Sequence, residues 1–483
     1  LVMSSENKSV STVLAIAACA LSLAANADTF WKGQGADSGF DNRDNWINWG
    51  NANYVFGGGQ LGNLPADGSY VTFTNAAAIA QGLWIENANK GGVEWSLVEN
   101  AEEGAGLTIT NSLTIGTGRA GQLTIKGGEY LVRGALNVAS GLGTTDGGSG
   151  QSTLTLTNCT MTVEDGVFVA YNANGANGEV VVQSNAVLNA TNTNGDKFSI
   201  CKGGNVHNDT KGSLVIDGGV VNVAGPFYTC QEGGTGDVTI NGGELNVSSE
   251  ALFARGWYNG ATSTLTMNGG KLWTSGNLEF AAKPNRNGGT GYLCMNAGKI
   301  DVDGSAYLGG KNATMTTTMT GGEIEVADQL QLAADTGGTS TFTMTDGSIA
   351  CGGLFQIGRN ATGVFTMDGG ETSCNGFRLG TDRSDAVGTA TINGGYLHST
   401  SDHFYIGNNG TGLFYMNGGE VYCANQFWLG NGSSSDGTFI MTNGDVRVRS
   451  YTCVGYGSGV GHFIMNGGSY YQENEKFIVG QSN

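Results

Sequence analysis

Between Gly412 and Gly430 the chain reads GLFYMNGGEVYCANQFWLG, and its apolar residues fall at alternate positions in three short runs. Phe414 and Met416 share one side of the first run, Val421 and Cys423 of the second, Phe427 and Leu429 of the third. A period of two is that of a β-strand with one face buried and the other wet. Asn417-Gly418-Gly419 separates the first two runs, and glycine there opens backbone angles that a side chain would forbid.

This plan repeats to the end of the chain. The second residue of the corner pair recurs at Gly298, Gly322, Gly347, Gly370, Gly395, Gly419, Gly444 and Gly468, with spacings of 23 to 25 residues. Upstream, Gly128, Cys159, Asn185, Gly219, Gly243 and Gly270 mark longer coils, up to 34 residues, with the additions in the loop after the third run. Three positions before each mark the residue is always apolar, as in Met319, Met344 and Met367. Two positions after it stands a second apolar column that includes Val187, Leu245, Ile324 and Val421 and is broken by Thr372.

A strand, an Asn-Gly and another strand also make a hairpin signal. Three runs per repeat are an odd number, however, so an antiparallel meander would reverse direction at every repeat and its columns would not meet. Three parallel strands per turn keep every column aligned. The sequence therefore predicts an all-β fold, a single-stranded right-handed parallel β-helix or three-sided β-solenoid with coils of about 24 residues, the hand following that of parallel crossovers.

Three segments are expected. Residues 1–27 carry Lys8, an apolar run from Val10 to Leu23 and Ala25-Asn26-Ala27, the pattern of a signal peptide with its cleavage site; a retained anchor is the alternative. Residues 28–106 lack the repeat and hold Trp31, Trp46, Trp49, Trp84 and Trp95, which suits an N-terminal cap over the first coil's open edge, or else a small carbohydrate-binding module. Residues 107–483 are the solenoid. They stop at a third strand and an open loop, Phe477 to Asn483, and so are expected to be cut short at the C-terminus.

Composition narrows the partners. With 41 acidic against 22 basic residues the net charge is −19, which repels nucleic acid and anionic membrane. The 84 glycines and three prolines fit one repetitive array, and 39% hydrophobic residues can fill its core.

Cysteines and outward side chains supply the candidate chemistry. Cys201 and Cys230 follow the third strand in neighbouring coils, and Cys351 and Cys374 end the second strand in neighbouring coils. Stacked strands lie about 4.8 Å apart, within disulfide reach. Cys351 and Cys374 are equally suited to be core fillers, because Val302, Val326 and Val448 share their column. No Cys/His spacing suggests a metal, and no cofactor is expected. The second strand should display Lys299, Asp301, Glu323, Glu325 and Glu371, then Tyr396, His398, Glu420, Tyr422 and Arg447. Such groups could abstract a proton from an acidic sugar, but any exposed strand face holds them, and no motif fixes their geometry. On the third strand Arg378, Tyr405 and Trp428 occupy one outward column, and with Tyr396, His398 and Tyr422 they form a candidate ligand-binding face whose rings could stack on glycans; the alternative is that these aromatics shield the sheet or pack on a loop.

The signal peptide, the segment with Phe30-Trp31-Lys32-Gly33 and Asp44-Asn45-Trp46, and coils such as that ending in Asn443-Gly444 resemble bacterial autotransporter-type proteins with autotransporter-associated β-strand repeats and pertactin-like passengers. The resemblance spans nearly the whole mature chain. It implies a secreted or outer-membrane-associated surface protein, an adhesin or structural spacer, with no enzymatic residues to carry over. Glycans, a host or matrix surface, neighbouring copies or a separate membrane anchor would be its partners. The resemblance leads to the expectation of a membrane barrel beyond the repeats, and the residues from Phe477 to Asn483 are too few to include one. A polysaccharide lyase or hydrolase built on a β-helix is the alternative function.

Overall fold

The computed structural model describes residues 106–481, except 117–119, 141–150, 172–174, 196, 203–208, 257–259, 282–287 and 475, together with the backbone of seven short strands between Asp28 and Ser96. Residues 1–27, read above as a signal peptide, and the tryptophan side chains of 28–106 lie outside the described residues. Among the described residues the protein is all-β, without a helix, and its parallel strands stack as a β-solenoid of about 14 turns. The chain divides into two compact units, one of residues 1–227 with 234–236 and 243–246, the other of 228–233, 237–242 and 247–483.

In the first unit, Gln122–Lys126, Glu129–Val132 and Leu136–Ser140 form one coil. They pair in parallel with Ser152–Thr157, Thr160–Val163 and Val167–Tyr171 of the next. The same order of three strands extends upstream. Ser69–Tyr70, Ala77–Ala80 and Leu83–Glu86 pair in parallel with Trp95–Ser96, Gly106–Ile109 and Leu113–Ile115. The segment read as a cap thus contributes coil strands of its own. Asp28–Trp31 pairs in parallel with Tyr54–Gly57 and antiparallel with Trp46–Trp49.

In the second unit the coil of Thr411–Met416, Glu420–Cys423 and Phe427–Asn431 shows why these residues fold this way. Each strand pairs in unbroken register with the coils before and after it. Phe414, Met416, Val421, Cys423, Phe427 and Leu429 point inward and are fully buried. Burying side chains of this size stabilises by roughly 1.5–3 kcal/mol each, and only a neighbouring coil can bury them. Phenylalanines stack from coil to coil inside the third sheet, with ring centroids 5.5 Å apart for Phe355 and Phe377, 4.7 Å for Phe377 and Phe404, and 5.0 Å for Phe404 and Phe427. The polar break in the second column is also buried: the Thr372 hydroxyl lies 3.8 Å from the sulfurs of Met344 and Met367.

Two left-handed backbone positions close each coil. The first is the corner glycine. Gly419 has φ 76°, and a Cβ there would meet the Gly395 carbonyl oxygen at 2.6 Å, so angle and space both require glycine. Beside it the corner amides form a ladder, with Asn417 donating to Asn393 (2.9 Å) and Asn393 to Asp368 (2.6 Å). In the coil marked by Asn185 the corner is longer, since Asn185 takes the left-handed angle (φ 59°) and Ala186 follows it. Val187 therefore turns outward and Leu188 fills the core, which corrects the inward placement of Val187.

The second position ends the third strand and is held by Gly116, Ala139, Ala170 and Cys201 in the first unit and by Cys230, Ala254, Ala281, Gly309, Ala333 and then Gly358 and its successors in the second. A non-glycine residue costs about 1–2 kcal/mol in this conformation. Small side chains keep the site passable.

Candidate functional site

On the second sheet the outward residues of consecutive coils form two columns. In its upper part the charges neutralise one another. Lys271 Nζ lies 2.7 Å from Asp301, and Lys299 Nζ lies 3.2 Å from Glu323 and 2.5 Å from Glu325. The Lys299 ammonium is held above its ordinary pKa, first by its hydrogen bond to Glu325. The carboxylates of Asp301, Glu323 and Glu325, expected on the outward face of the second strand, are thus paired with lysines. Among the described residues no three His, Cys, Asp or Glu side chains are grouped to hold a metal ion.

Farther along, the column changes to aromatic and basic groups. Ser373, His398, Tyr422, Arg447 and Tyr471 are register partners in successive coils, beside Glu371, Tyr396, Glu420 and Asp445. The His398 ring lies 6.2 Å from both Tyr396 and Tyr422, edge to face, and the Arg447 guanidinium stands 6.0 Å from the Tyr471 ring. Tyr396 is 52% and Tyr471 59% exposed. The parts are spread one per coil along the sheet. Of the expected site residues, Tyr396, His398 and Tyr422 stand together on this strip.

The other three stand together elsewhere, in a different environment. Arg378, Tyr405 and Trp428 are register partners on the third sheet. Arg378 Nη2 donates to Asp402 Oδ2 at 2.7 Å, and the guanidinium lies 5.3 Å from the Tyr405 ring. The neighbouring His403 ring meets Tyr405 edge-on at 5.5 Å, and burial raises the Tyr405 phenol pKa. Trp428 is only 8% exposed. Its Nε1 donates to Gln426 Oε1 at 3.0 Å, and Tyr451 and Tyr456 pack against its ring at 5.5 and 4.8 Å. Gln331 and Gln356, earlier in the same column, are also buried, receiving a hydrogen bond from Arg359 and donating one to Thr381. The column therefore lies under neighbouring side chains. Sequence reasoning missed Asp402, Gln426 and Tyr456, which sit at the strand ends and shape this cover; their only signal was a polar or aromatic residue recurring beside the third strand.

Among the described residues every cysteine is buried except Cys294, which is half-buried. Cys351 and Cys374 are register partners on the inward side of the second sheet, with Sγ atoms 3.3 Å from the Asp328 carbonyl and 3.7 Å from the His398 carbonyl. Burial pushes the Cys351 thiol up to about 11 and holds the Cys374 thiol well above its usual range. Neutral thiols of this kind are poor nucleophiles. Cys201 belongs to the first unit, with Sγ 3.3 Å from the Thr210 carbonyl, and Cys230 to the second, 3.0 Å from the Thr262 carbonyl.

No protein-family model, curated protein or solved structure matches the chain. What its fold defines is a parallel β-solenoid, a class that serves both enzymes and non-enzymes.

Proposed function

We propose that the chain is an exported, non-enzymatic surface protein, an adhesin or structural spacer, whose second-sheet strip around Tyr396, His398 and Tyr422 touches glycans or a host or matrix surface. The observation that carries this reading is the linear placement of His398, Tyr422, Arg447 and Tyr471, one per coil along an exposed strand face. Acid–base catalysis needs its groups within hydrogen-bond reach of one reacting centre. A strip suits an extended partner that follows the stack, with each ring adding a small apolar contact and each polar group a hydrogen bond. Export and association with the outer membrane, through neighbouring copies or a separate anchor, belong to the same reading and rest on the sequence of residues 1–27 and the autotransporter-like repeats.

Two measurements test it together. Binding of the full chain to a glycan array or to extracellular matrix should weaken about tenfold when Tyr396 and Tyr422 are both changed to Ala, the loss expected from two ring contacts. Turnover of a panel of acidic glycans should be absent. Turnover that disappears when Glu371, His398 and Arg447 are replaced together would instead establish a polysaccharide-processing enzyme.

A further inference from the structure

The outward face of the first sheet takes no part in that strip and has a different character. Thr314–Met319, Thr339–Met344, Thr362–Met367 and Val387–Ile392 lie side by side in unshifted register. Each strand presents its first, third and fifth residues outward, between inward neighbours that are buried. Every one of those outward residues is threonine except Val364 and Val387, and valine has the shape of threonine with a methyl in place of the hydroxyl. No charge interrupts this lattice, on a chain whose net charge is −19.

The hydroxyls of the lattice differ from those at its margin. At the corner, Thr320 donates to Asn296 at 3.2 Å and Thr345 to the Met319 carbonyl at 3.4 Å. Among the described residues the side-chain hydroxyls of the outward threonines of the four strands form no hydrogen bond within the chain, although their backbones are paired in the sheet. They are also stiff, because a β-branched side chain has few χ1 states on a pleated surface. Hydroxyls and methyls therefore repeat about every 4.8 Å from coil to coil and about every 6.7 Å along a strand.

Those two repeats can be compared with a lattice of water. Hydrogen-bonded oxygens lie about 2.75 Å apart, so tetrahedral bonding puts next-nearest oxygens about 4.5 Å apart, and two puckered layers joined by upright bonds repeat every eight-thirds of a bond length, about 7.3 Å. The two spacings of the threonine face fall close to these two distances over the width of four coils. The methyls add apolar contact between the hydroxyls, and the absence of charge spares the cost of stripping ion hydration from the face.

We infer that the threonine face of the first sheet binds crystalline water, laying its hydroxyl lattice against an ice surface. This lies beyond the adhesive reading and on a different sheet, so either can fail alone.

The test is ice-affinity partitioning of the full chain, in which ice is grown slowly from a dilute solution and the protein in ice and in liquid is measured. The chain should be enriched in the ice and should slow ice recrystallisation. Thr341→Lys combined with Thr366→Lys should lower the ice-bound fraction about tenfold, while Glu420→Lys on the second sheet leaves it unchanged. Circular dichroism establishes that each variant is folded; Thr316→Glu with Thr389→Glu is read in the same way should the lysine pair fail to fold. Exclusion of the wild-type chain from ice would overturn the inference, as would equal partitioning of folded wild-type and variant. So would exclusion from ice combined with threonine-dependent binding to crystalline chitin or cellulose, or with self-association that Thr341→Lys abolishes.

Discussion

Ala333 holds a left-handed backbone, φ 53°, at the position where Gly358 and Gly380 stand in the next two coils. Ala333→Gly should therefore stabilise the protein, by about 1 kcal/mol from relief of strain less the extra entropy of an unfolded glycine. Gly358→Ala should destabilise it by more than that, because the new Cβ would collide with the Val387 carbonyl. Urea denaturation of both variants checks the opposite signs. A second prediction at this scale concerns pH. Burial raises the Cys423 thiol from 9.0 to about 12, so the folded state keeps its proton where the unfolded chain has lost it. The stability tied to this group is fully present below pH 9. It falls as pH rises between 9 and 12, by roughly 1.4 kcal/mol per pH unit for one such thiol. Cys423→Val, which copies Val448 in the next coil of the column, should reduce that alkaline slope in denaturation measured from pH 8 to 11. The glycine corners were legible because glycine is itself the signal for a left-handed angle. The second left-handed position was hidden in the coils where alanine or cysteine holds it, since there these look like ordinary small core residues.

At the scale of the strand, alternation identified the inward columns because one face is dry and the other wet, and Phe414, Met416 and Val421 lie where that pattern put them. Alternation says nothing about what lies over an outward residue. Trp428 and Tyr422 both have the outward parity, yet Trp428 is covered by Tyr451 and Tyr456 while Tyr422 faces the exposed strip. Contacts between side chains that are distant in the repeat decide this, and period-two reasoning does not contain them. Val187 went astray for a more local reason, one added corner residue that exchanged the two faces of its strand. The pairing of Cys351 with Cys374 belongs here too, since it is the register that brings them together. Their thiols are buried and held protonated, so oxidation should proceed while the coil is still open. A thiol–disulfide oxidoreductase would take up the two electrons and the two thiol protons would be released. Non-reducing mass mapping of protein from an oxidising compartment should recover a Cys351–Cys374 linked peptide. Recovery of both as alkylatable thiols from that compartment would assign them to core filling alone.

Across the whole molecule, stability comes from each coil covering the next, so it should vary with coil number in the manner of a one-dimensional array. Excising residues 395–418 joins Gly394 to Gly419 and restores an Asn-Gly-Gly corner between a first and a second strand. The shortened chain should keep its β circular dichroism and melt cooperatively. Removal of residues 395–406 would join mismatched strands and should leave a chain that melts less cooperatively or aggregates. The three outer faces can then diverge independently, with paired charges and rings on the second sheet, shielded glutamines and Trp428 on the third, and threonine on the first. The corner glycine that recurs in all but two of the marked coils has a further consequence at the level of heredity. Unequal recombination between two stretches that encode glycine corners adds or removes complete coils without disturbing the register, so lineages can lengthen or shorten this protein in single genetic events while every surviving coil still fits its neighbour.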